Sequence, residues 1–488
     1  VKYHRPPAMT PPPNRPAVAC VPSPPRSAGT ALDSAVGRAQ RLRLATSDKH
    51  KKDWGQYFTP PEIASFMASL PSLRPSGRVR ILDPGAGTGA LGLALAARLL
   101  ERRAITQVEL YCVESEPKAL LELESSLADA EATFGRRFRA TALALDFLEL
   151  ATPRLGAPTI PPVDLAISNP PYFKLSPKDD RGGDAPNIYA RFMEVTAKLL
   201  RDQGQLCFVV PRSYASGPYF RRFRRRFHHT MQIEHVHVFE SRSAAFKTDS
   251  VLQENIVVLY TKQPPDSAGT VTISVSDGTA DLAQRQAFEC KRHELVSDDE
   301  HGVVSLPTAP ARFELMKRIH ALPHTLESLG LQISTGPVVA FRASDHLVDA
   351  GCEEPSAPLL WLQHVRRGQV TWPLAERFRK PEHIRSTAGP KLLIPAANYV
   401  LLRRFSAKEE PRRLTAAPLL ADDFAGAQIG VENHLNYIHR PGAGLSVDEA
   451  RGLSALLNSQ ILDDFFRVSS GNTQVSATEI RMLPLPSR

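Results

Sequence analysis

Apolar and polar residues follow two different rhythms along this chain. Between about residues 49 and 262, short apolar runs ended by an acidic or turn residue alternate with stretches of helical period. Residues 78–82 predict a first strand, followed by a glycine loop and a helix over 91–102. Residues 108–113 predict a second strand ending at Glu114, followed by a helix over 117–127. A third strand ends near Asp146, and a fourth, Val163–Ser168, is almost wholly apolar. A helix over 188–200 leads to a strand over 205–210, and residues 233–239 and 255–260 read as closing strands. This alternation predicts a layered α/β domain around a mostly parallel sheet.

The rest of the chain breaks the rhythm. Residues 1–45 carry Pro6-Pro7, Pro11-Pro12-Pro13 and Pro24-Pro25 among basic and small residues, so they read as a disordered basic leader without chemistry of its own. Residues 46–265 then form the α/β domain. Pro264-Pro265-Asp266 opens a polar stretch, 266–309, read as a connector. Residues 310–488 predict a separate, mixed α+β domain of short strands, turns and isolated helices.

A chain of 488 residues has room for two or more substantial cores, and 42% apolar with 23% charged residues is a globular composition. Lysine and arginine number 60 against 51 acidic residues, a net +9. Arg221, Arg222, Arg224, Arg225 and Arg226 are clustered, and pairs recur at Arg366-Arg367, Arg403-Arg404 and Arg412-Arg413. Clustered arginine suits a polyanion such as nucleic acid, and it equally suits a solvated helix face. Cys20, Cys112, Cys207, Cys290 and Cys352 are scattered without metal-ligand spacing, which predicts a reducing cytoplasm, no disulfide framework and no structural metal. No apolar run is long enough to predict a membrane span, and the first residues lack the apolar core of a secretion signal.

Two segments carry candidate chemistry. Asp83-Pro84-Gly85-Ala86-Gly87-Thr88-Gly89 lies between the first strand and the first helix. Its glycines let the backbone turn sharply and approach a ligand closely, as both dinucleotides and S-adenosylmethionine require. Glu114, ending the next strand, suits the ribose hydroxyls of either. Asp83 favours S-adenosylmethionine, because a carboxylate would repel a pyrophosphate but accept from a positively charged amino-acid end. Asp146 supplies an acceptor for the adenine amine of the cofactor and Phe147 a ring to pack on it; the alternative is a helix cap at Asp146 with Phe147 in the core.

The second segment is Asn169-Pro170-Pro171-Tyr172, directly after the fourth strand. Its prolines fix φ and remove donors, so the carbonyls of Asn169 and Pro170 act as acceptors beside the ring of Tyr172. Two acceptors and a flat ring form a receptor for an amino group on a planar π-system. The tetrapeptide alone could equally be a strand exit; the glycine loop upstream turns it toward methyl transfer to an exocyclic amine. Cytosine-C5 methylation needs a thiolate, usually in a Pro-Cys pair, and no cysteine here follows a proline. Asn169 favours adenine over the chemically close cytosine-N4, whose enzymes more often carry serine there.

In combination these segments resemble the gamma class of adenine-N6 DNA methyltransferases of restriction–modification systems. The order is Gly55-Gln56-Tyr57-Phe58-Thr59-Pro60-Pro61, then the glycine loop, then Asn169-Pro170-Pro171-Tyr172, then a C-terminal domain. Residues 113–120 are similar to the family's ribose-binding turn, and 187–211 to the module behind its catalytic loop. Ala245-Phe246 and Val251 are similar to its clamp on the flipped base. In the C-terminal half, 398–406, 433–437 and 470–475 resemble methyltransferases partnered with PstI-like restriction enzymes.

The resemblance implies a Rossmann-like S-adenosylmethionine-dependent catalytic domain and a C-terminal DNA target-recognition domain. It implies methylation of duplex DNA, with a separate restriction endonuclease as functional partner and the bacterial cytoplasm as location. Asn169, Pro170, Pro171 and Tyr172 would be catalytic, with Tyr172 and Phe246 stacking on the target base. Tyr57, Thr59, Asp83, Gly85, Ala86, Gly87, Gly89, Glu114, Asp146, Phe147 and Asn169 would contact the cofactor. Tyr57 with Phe58 could instead be a packing pair, and Phe246 a core aromatic. Rival readings are a protein-glutamine or RNA N-methyltransferase, disfavoured by the large C-terminal domain, and an idle DNA-binding protein, disfavoured by the intact Asp83, Glu114 and Asn169 segments.

Overall fold

A computed structural model describes residues 29–45, 59–72, 75–151, 159–173, 185–241, 254–374, 378–406, 410–424, 426–470 and 474–487. They fall into two compact units: one of residues up to Pro211 together with Arg226–His293, and one of Arg212–Arg225 with Glu294–Arg488.

In the first unit, helix α1 (Gly29–Ala45) and helix α2 (Pro61–Ser69) precede strand β1 (Gly77–Pro84). Helix α3 (Ala90–Leu100), β2 (Ile105–Glu114), helix α4 (Pro117–Phe134), β3 (Phe138–Ala144) and β4 (Val163–Ser168) follow. Then come helix α5 (Ile188–Leu199), β5 (Leu200–Pro211), helix α6 (Arg221–Thr230), which this unit contains only from Arg226 onward, β6 (Met231–Phe239) and β7 (Asn255–Lys262). β8 (Thr270–Ser276) and β9 (Gln286–Lys291) complete a nine-stranded sheet in the order β3-β2-β1-β4-β5-β7-β6-β8-β9. Pairing is parallel from β3 to β5, while β7 and β9 run antiparallel to their neighbours.

Local sequence explains these elements. All six residues of β4 are buried, as a strand covered on both faces requires, and this includes Asp164. Its carboxylate accepts from the Arg80 amide at 2.7 Å and pairs with Arg201 at 2.6 Å, so its burial is compensated. α3 is buried at every position but Arg98 because it also packs against α2. α4 opens with Pro117 at its first turn, and the Glu116 side chain caps the Ala119 amide.

Three expectations about organisation are corrected. Residues 29–45 form a helix, not a disordered leader. Leu32, Ala35, Ala39 and Leu42 recur at helical spacing and are buried, and Arg38 pairs with Asp129 and Glu122 of α4. The prolines upstream masked this stripe. Residues 266–309 are not a connector: β8 pairs with β6 and β9 with β8, so alternating apolar positions such as Val271, Ile273 and Val275 extend the sheet. Residues 212–225, from within the expected catalytic span, belong to the second unit.

The arginine cluster is also more structural than its composition implied. Arg224 is buried and donates to the carbonyls of Tyr214, Gly217 and His301, whereas Arg221 pairs with Glu300 and Arg226 with Glu194. The second unit is mixed α+β, with a four-stranded, a five-stranded and a two-stranded sheet. Among its arginine pairs, Arg403 donates to Val365, Arg367 to Asn458, and the buried Arg413 to Ser406.

Candidate active site

The parallel strands β1, β2 and β4 end on the same side of the sheet, with β1 between the other two. The chain steps outward from β1 to β2 and β3, then crosses back to β4 on the other side of β1, so a crevice opens at the strand ends. Ser168, ending β4, donates to the Pro84 carbonyl at 2.6 Å and ties the two strand ends together.

The glycine loop is held from below and from the side. Gly85, Gly87 and Gly89 have φ of 72°, 56° and 87°, a region other residues rarely adopt. A Cβ on Gly89 would also lie 2.9 Å from Leu123. The amides of Gly85 and Ala86 donate to the Val113 carbonyl, and the Gly87 amide to Glu114 Oε2 at 2.8 Å. Thr88 donates its hydroxyl to the Ala35 carbonyl of α1 at 3.0 Å. Residues before 46, expected to carry no chemistry, thus brace the loop, through a contact that composition alone does not reveal.

Glu114 accepts from the amides of Ser115 and Glu116 with Oε1 as well as from Gly87 with Oε2. A carboxylate has about four acceptor positions, and these bonds leave one, on Oε2. Burial raises the Glu114 pKa, opposed by its three amide donors.

Asp83 sits elsewhere than expected. It is fully buried, its Oδ2 accepts from the Gly92 amide of α3 at 2.8 Å, and its Oδ1 has no hydrogen-bond partner. Burial, with the Glu114 charge adding, pushes its pKa up to about 7 against the Gly92 bond. Asp83 is a brace beneath the loop and is not among the residues lining the crevice.

A cleft of about 340 Å³ at the strand ends is lined by Gly85, Val113, Ser115, Leu145, Asp146, Phe147, Pro171, Phe173, Ile188 and Phe192. β3 ends at Ala144, and Asp146 caps the following turn by accepting from the Leu148 amide at 2.9 Å. Phe147 is buried and packs on Phe192 with ring centroids 4.8 Å apart. The cap and the packed ring are the arrangement present, and both residues also line the cleft. Phe192 was missed, because on an amphipathic helix it has the spacing of any core residue.

Asn169 lies at the end of β4, half-buried. Its Nδ2 donates to Thr59 Oγ1 at 3.1 Å, and its Oδ1 accepts from the Tyr172 hydroxyl. That hydroxyl also lies 3.3 Å from the Val209 carbonyl, and the Tyr172 ring stands edge-on to Tyr189 at 6.1 Å. Thr59, remote in sequence, thus forms one bonded row with Asn169 and Tyr172. Pro170 is buried, and Pro171 lies near Gly85. Tyr57 and Phe246 lie outside the described residues.

The family model of the Eco57I restriction-modification methylases matches residues 161–246. The chain is 34% identical over 466 residues to the type II methyltransferase M.BsuBI of Bacillus subtilis, covering 92% of this chain and 90% of that one. It is 32% identical over 445 residues to the type II methyltransferase M.PstI of Providencia stuartii, covering 89% and 87%. A shorter likeness, 32% over 143 residues, is to the tRNA1(Val) (adenine(37)-N6)-methyltransferase of a Flavobacteriaceae bacterium, covering 29% of this chain and 54% of that one.

Proposed function

Since the chain belongs to the type II methyltransferases of restriction–modification systems, we propose that it methylates the N6 amine of an adenine flipped out of duplex DNA at a specific sequence. S-adenosylmethionine supplies the electrophilic methyl group when bound. The observation that carries this reading is the Thr59–Asn169–Tyr172 row at the end of β4.

The adenine amine is a poor nucleophile because its lone pair is delocalised into the ring. With its amide held on one side by Thr59 and on the other by Tyr172, Asn169 keeps its Oδ1 fixed in orientation. The Asn169 side-chain carbonyl and the Pro170 backbone carbonyl accept the two amine protons and draw the nitrogen lone pair out of the ring plane. Fixed acceptors of this kind accelerate by positioning and electrostatic preorganisation, without reorganising during reaction. The proton is lost from a cationic product, so no strong base is required. Tyr172, tethered through its hydroxyl, offers its ring to the base, and stacking of about 1–3 kcal/mol offsets part of the few kcal/mol needed to flip it.

On the cofactor side, the remaining acceptor position of Glu114 takes a ribose hydroxyl. Asp146 and the Phe147–Phe192 pair suit the adenine ring. Asp83 shapes the loop from beneath and does not meet the cofactor's amino-acid end. The second unit recognises the target sequence, a separate restriction endonuclease cleaves unmodified sites, and the enzyme works in the bacterial cytoplasm. Among the described residues no helix is long and apolar enough to cross a membrane.

Tritium transfer from labelled cofactor into DNA, RNA and protein, followed by nucleoside analysis, tests the reading. Label in N6-methyladenine of duplex DNA is expected. Label in N4-methylcytosine, or only in RNA or protein, would replace it with one of its rivals.

A further inference from the structure

In the second unit, three segments remote in sequence meet at one turn. The turn Glu432-Asn433-His434-Leu435 is closed by the Leu435 amide donating to the Glu432 carbonyl at 2.9 Å. The amide of Arg404 donates to the His434 carbonyl at 2.9 Å, and Arg404 Nη1 donates to the Asn433 carbonyl at 3.0 Å. Phe405, next to Arg404, bridges to Gln474, and the Arg404 carbonyl accepts from Val475 at 2.7 Å.

At the tip of this turn the Glu432 side chain is 3% exposed, and both its oxygens serve a single residue. Oε2 accepts from the His434 amide at 3.0 Å, and Oε1 binds His434 Nδ1. The His434 side chain is nevertheless 49% exposed. Its ring lies against Phe405 with centroids 4.9 Å apart.

The turn's backbone is already closed, and one carboxylate oxygen suffices to cap the His434 amide. Committing the second oxygen to the imidazole does something further: it places the proton on Nδ1 and fixes the ring's orientation, with Phe405 restraining rotation. Nε2 is then the ring nitrogen not committed to Glu432, on a half-exposed ring held in a single pose. Phosphate contacts require charge and tolerate flexible side chains, whereas base-edge contacts require orientation. The Glu432–His434 pair carries no net positive charge, which makes it a poor phosphate anchor. Gln474 beside it is exposed and carries an amide that can bond a base edge.

We propose that the Glu432–His434 turn is a base-reading element of the DNA substrate, with His434 Nε2 as the reading atom and Glu432 as its positioning residue. The inference rests on the assignment of the protein as a DNA methyltransferase.

The test uses the full chain carrying His434→Ala or Glu432→Gln, with His434→Gln as a substitute should His434→Ala melt early. Each variant is first matched to the parent in melting temperature and S-adenosylmethionine affinity. Unmodified bacterial genomic DNA is then methylated, and modified adenines are mapped by single-molecule sequencing. For His434→Ala, the ratio of methylation at the consensus to methylation at sites altered at one particular base pair should fall about tenfold. Glu432→Gln should relax the same position by less. The salt dependence of duplex binding should be unchanged in both. A salt slope smaller by about one with the consensus intact would make the turn a phosphate anchor and overturn the proposal. An unchanged consensus and slope would overturn it as well. If the parent itself methylates no adenine, the functional assignment fails first, and the two failures are distinguishable.

Discussion

A single amide decides most of the chemistry proposed here. Asn169 bonds on both sides, to Thr59 and to Tyr172, so its carbonyl is fixed before any substrate arrives. Asn169→Ala should abolish methyl transfer while calorimetry still finds S-adenosylmethionine binding; turnover like that of the parent would end the mechanism. Glu114→Ala should weaken cofactor binding by about 1.5–3 kcal/mol, the worth of hydrogen bonds to a charged group. Unchanged affinity would leave Glu114 a loop brace only. Asp83 allows a test of protonation. Burial raises its pKa in the folded protein from 3.8 to about 7, so the folded state holds the proton more tightly than the unfolded chain. Stability from this group is therefore lost as pH rises from about 4 to about 7, a cost on the order of 4 kcal/mol above that window and none below it. Asp83→Asn resembles the protonated form. Thermal melts should show the parent losing stability relative to Asp83→Asn between pH 5 and pH 8, and a constant difference would show that Asp83 does not change protonation there.

Among the elements, α1 has the least expected role. Its leucines and alanines pack on the first unit, and its Ala35 carbonyl receives the Thr88 hydroxyl from within the glycine loop. Burying Leu32 and Leu42 alone contributes about 1.5–3 kcal/mol each. The exposed ion pairs of Arg38 add little beside this. A chain starting at residue 46 should melt at lower temperature and bind S-adenosylmethionine more weakly than the full chain. Equal affinity would show that α1 is not needed to set the loop.

For the whole molecule, the two units divide the chain differently from a simple cut after the catalytic segments. A fragment ending near Pro264 would lose β8 and β9 and leave the β6 edge unpaired. A fragment of residues 29–293 should melt at a higher temperature than one of 29–264; equal melting would mean the two strands add nothing to the sheet. Duplex binding by the full chain should weaken steeply with salt, because neutralised phosphates release counterions. A flat salt response would remove the arginines from that role.

The α/β order, the glycine loop and the strand end at Asn169 were legible in the sequence because each depends on local rules. Buried parallel strands are continuously apolar, sharp loops need glycine, and Pro170-Pro171 stops a strand wherever it occurs. The cap at Asp146 and the packing of Phe147 were legible as alternatives for the same reason. Only the tertiary structure decided that Asp83 faces Gly92 beneath the loop, that Phe192 walls the cleft, and that Thr59 holds Asn169. It also decided that residues 29–45 fold, that 266–291 supply strands, and that Glu432 meets His434 between two distant segments. In each of these the controlling contact joins residues far apart in the chain or turns a side chain toward one face over another, and neither separation nor facing is written in composition or periodicity.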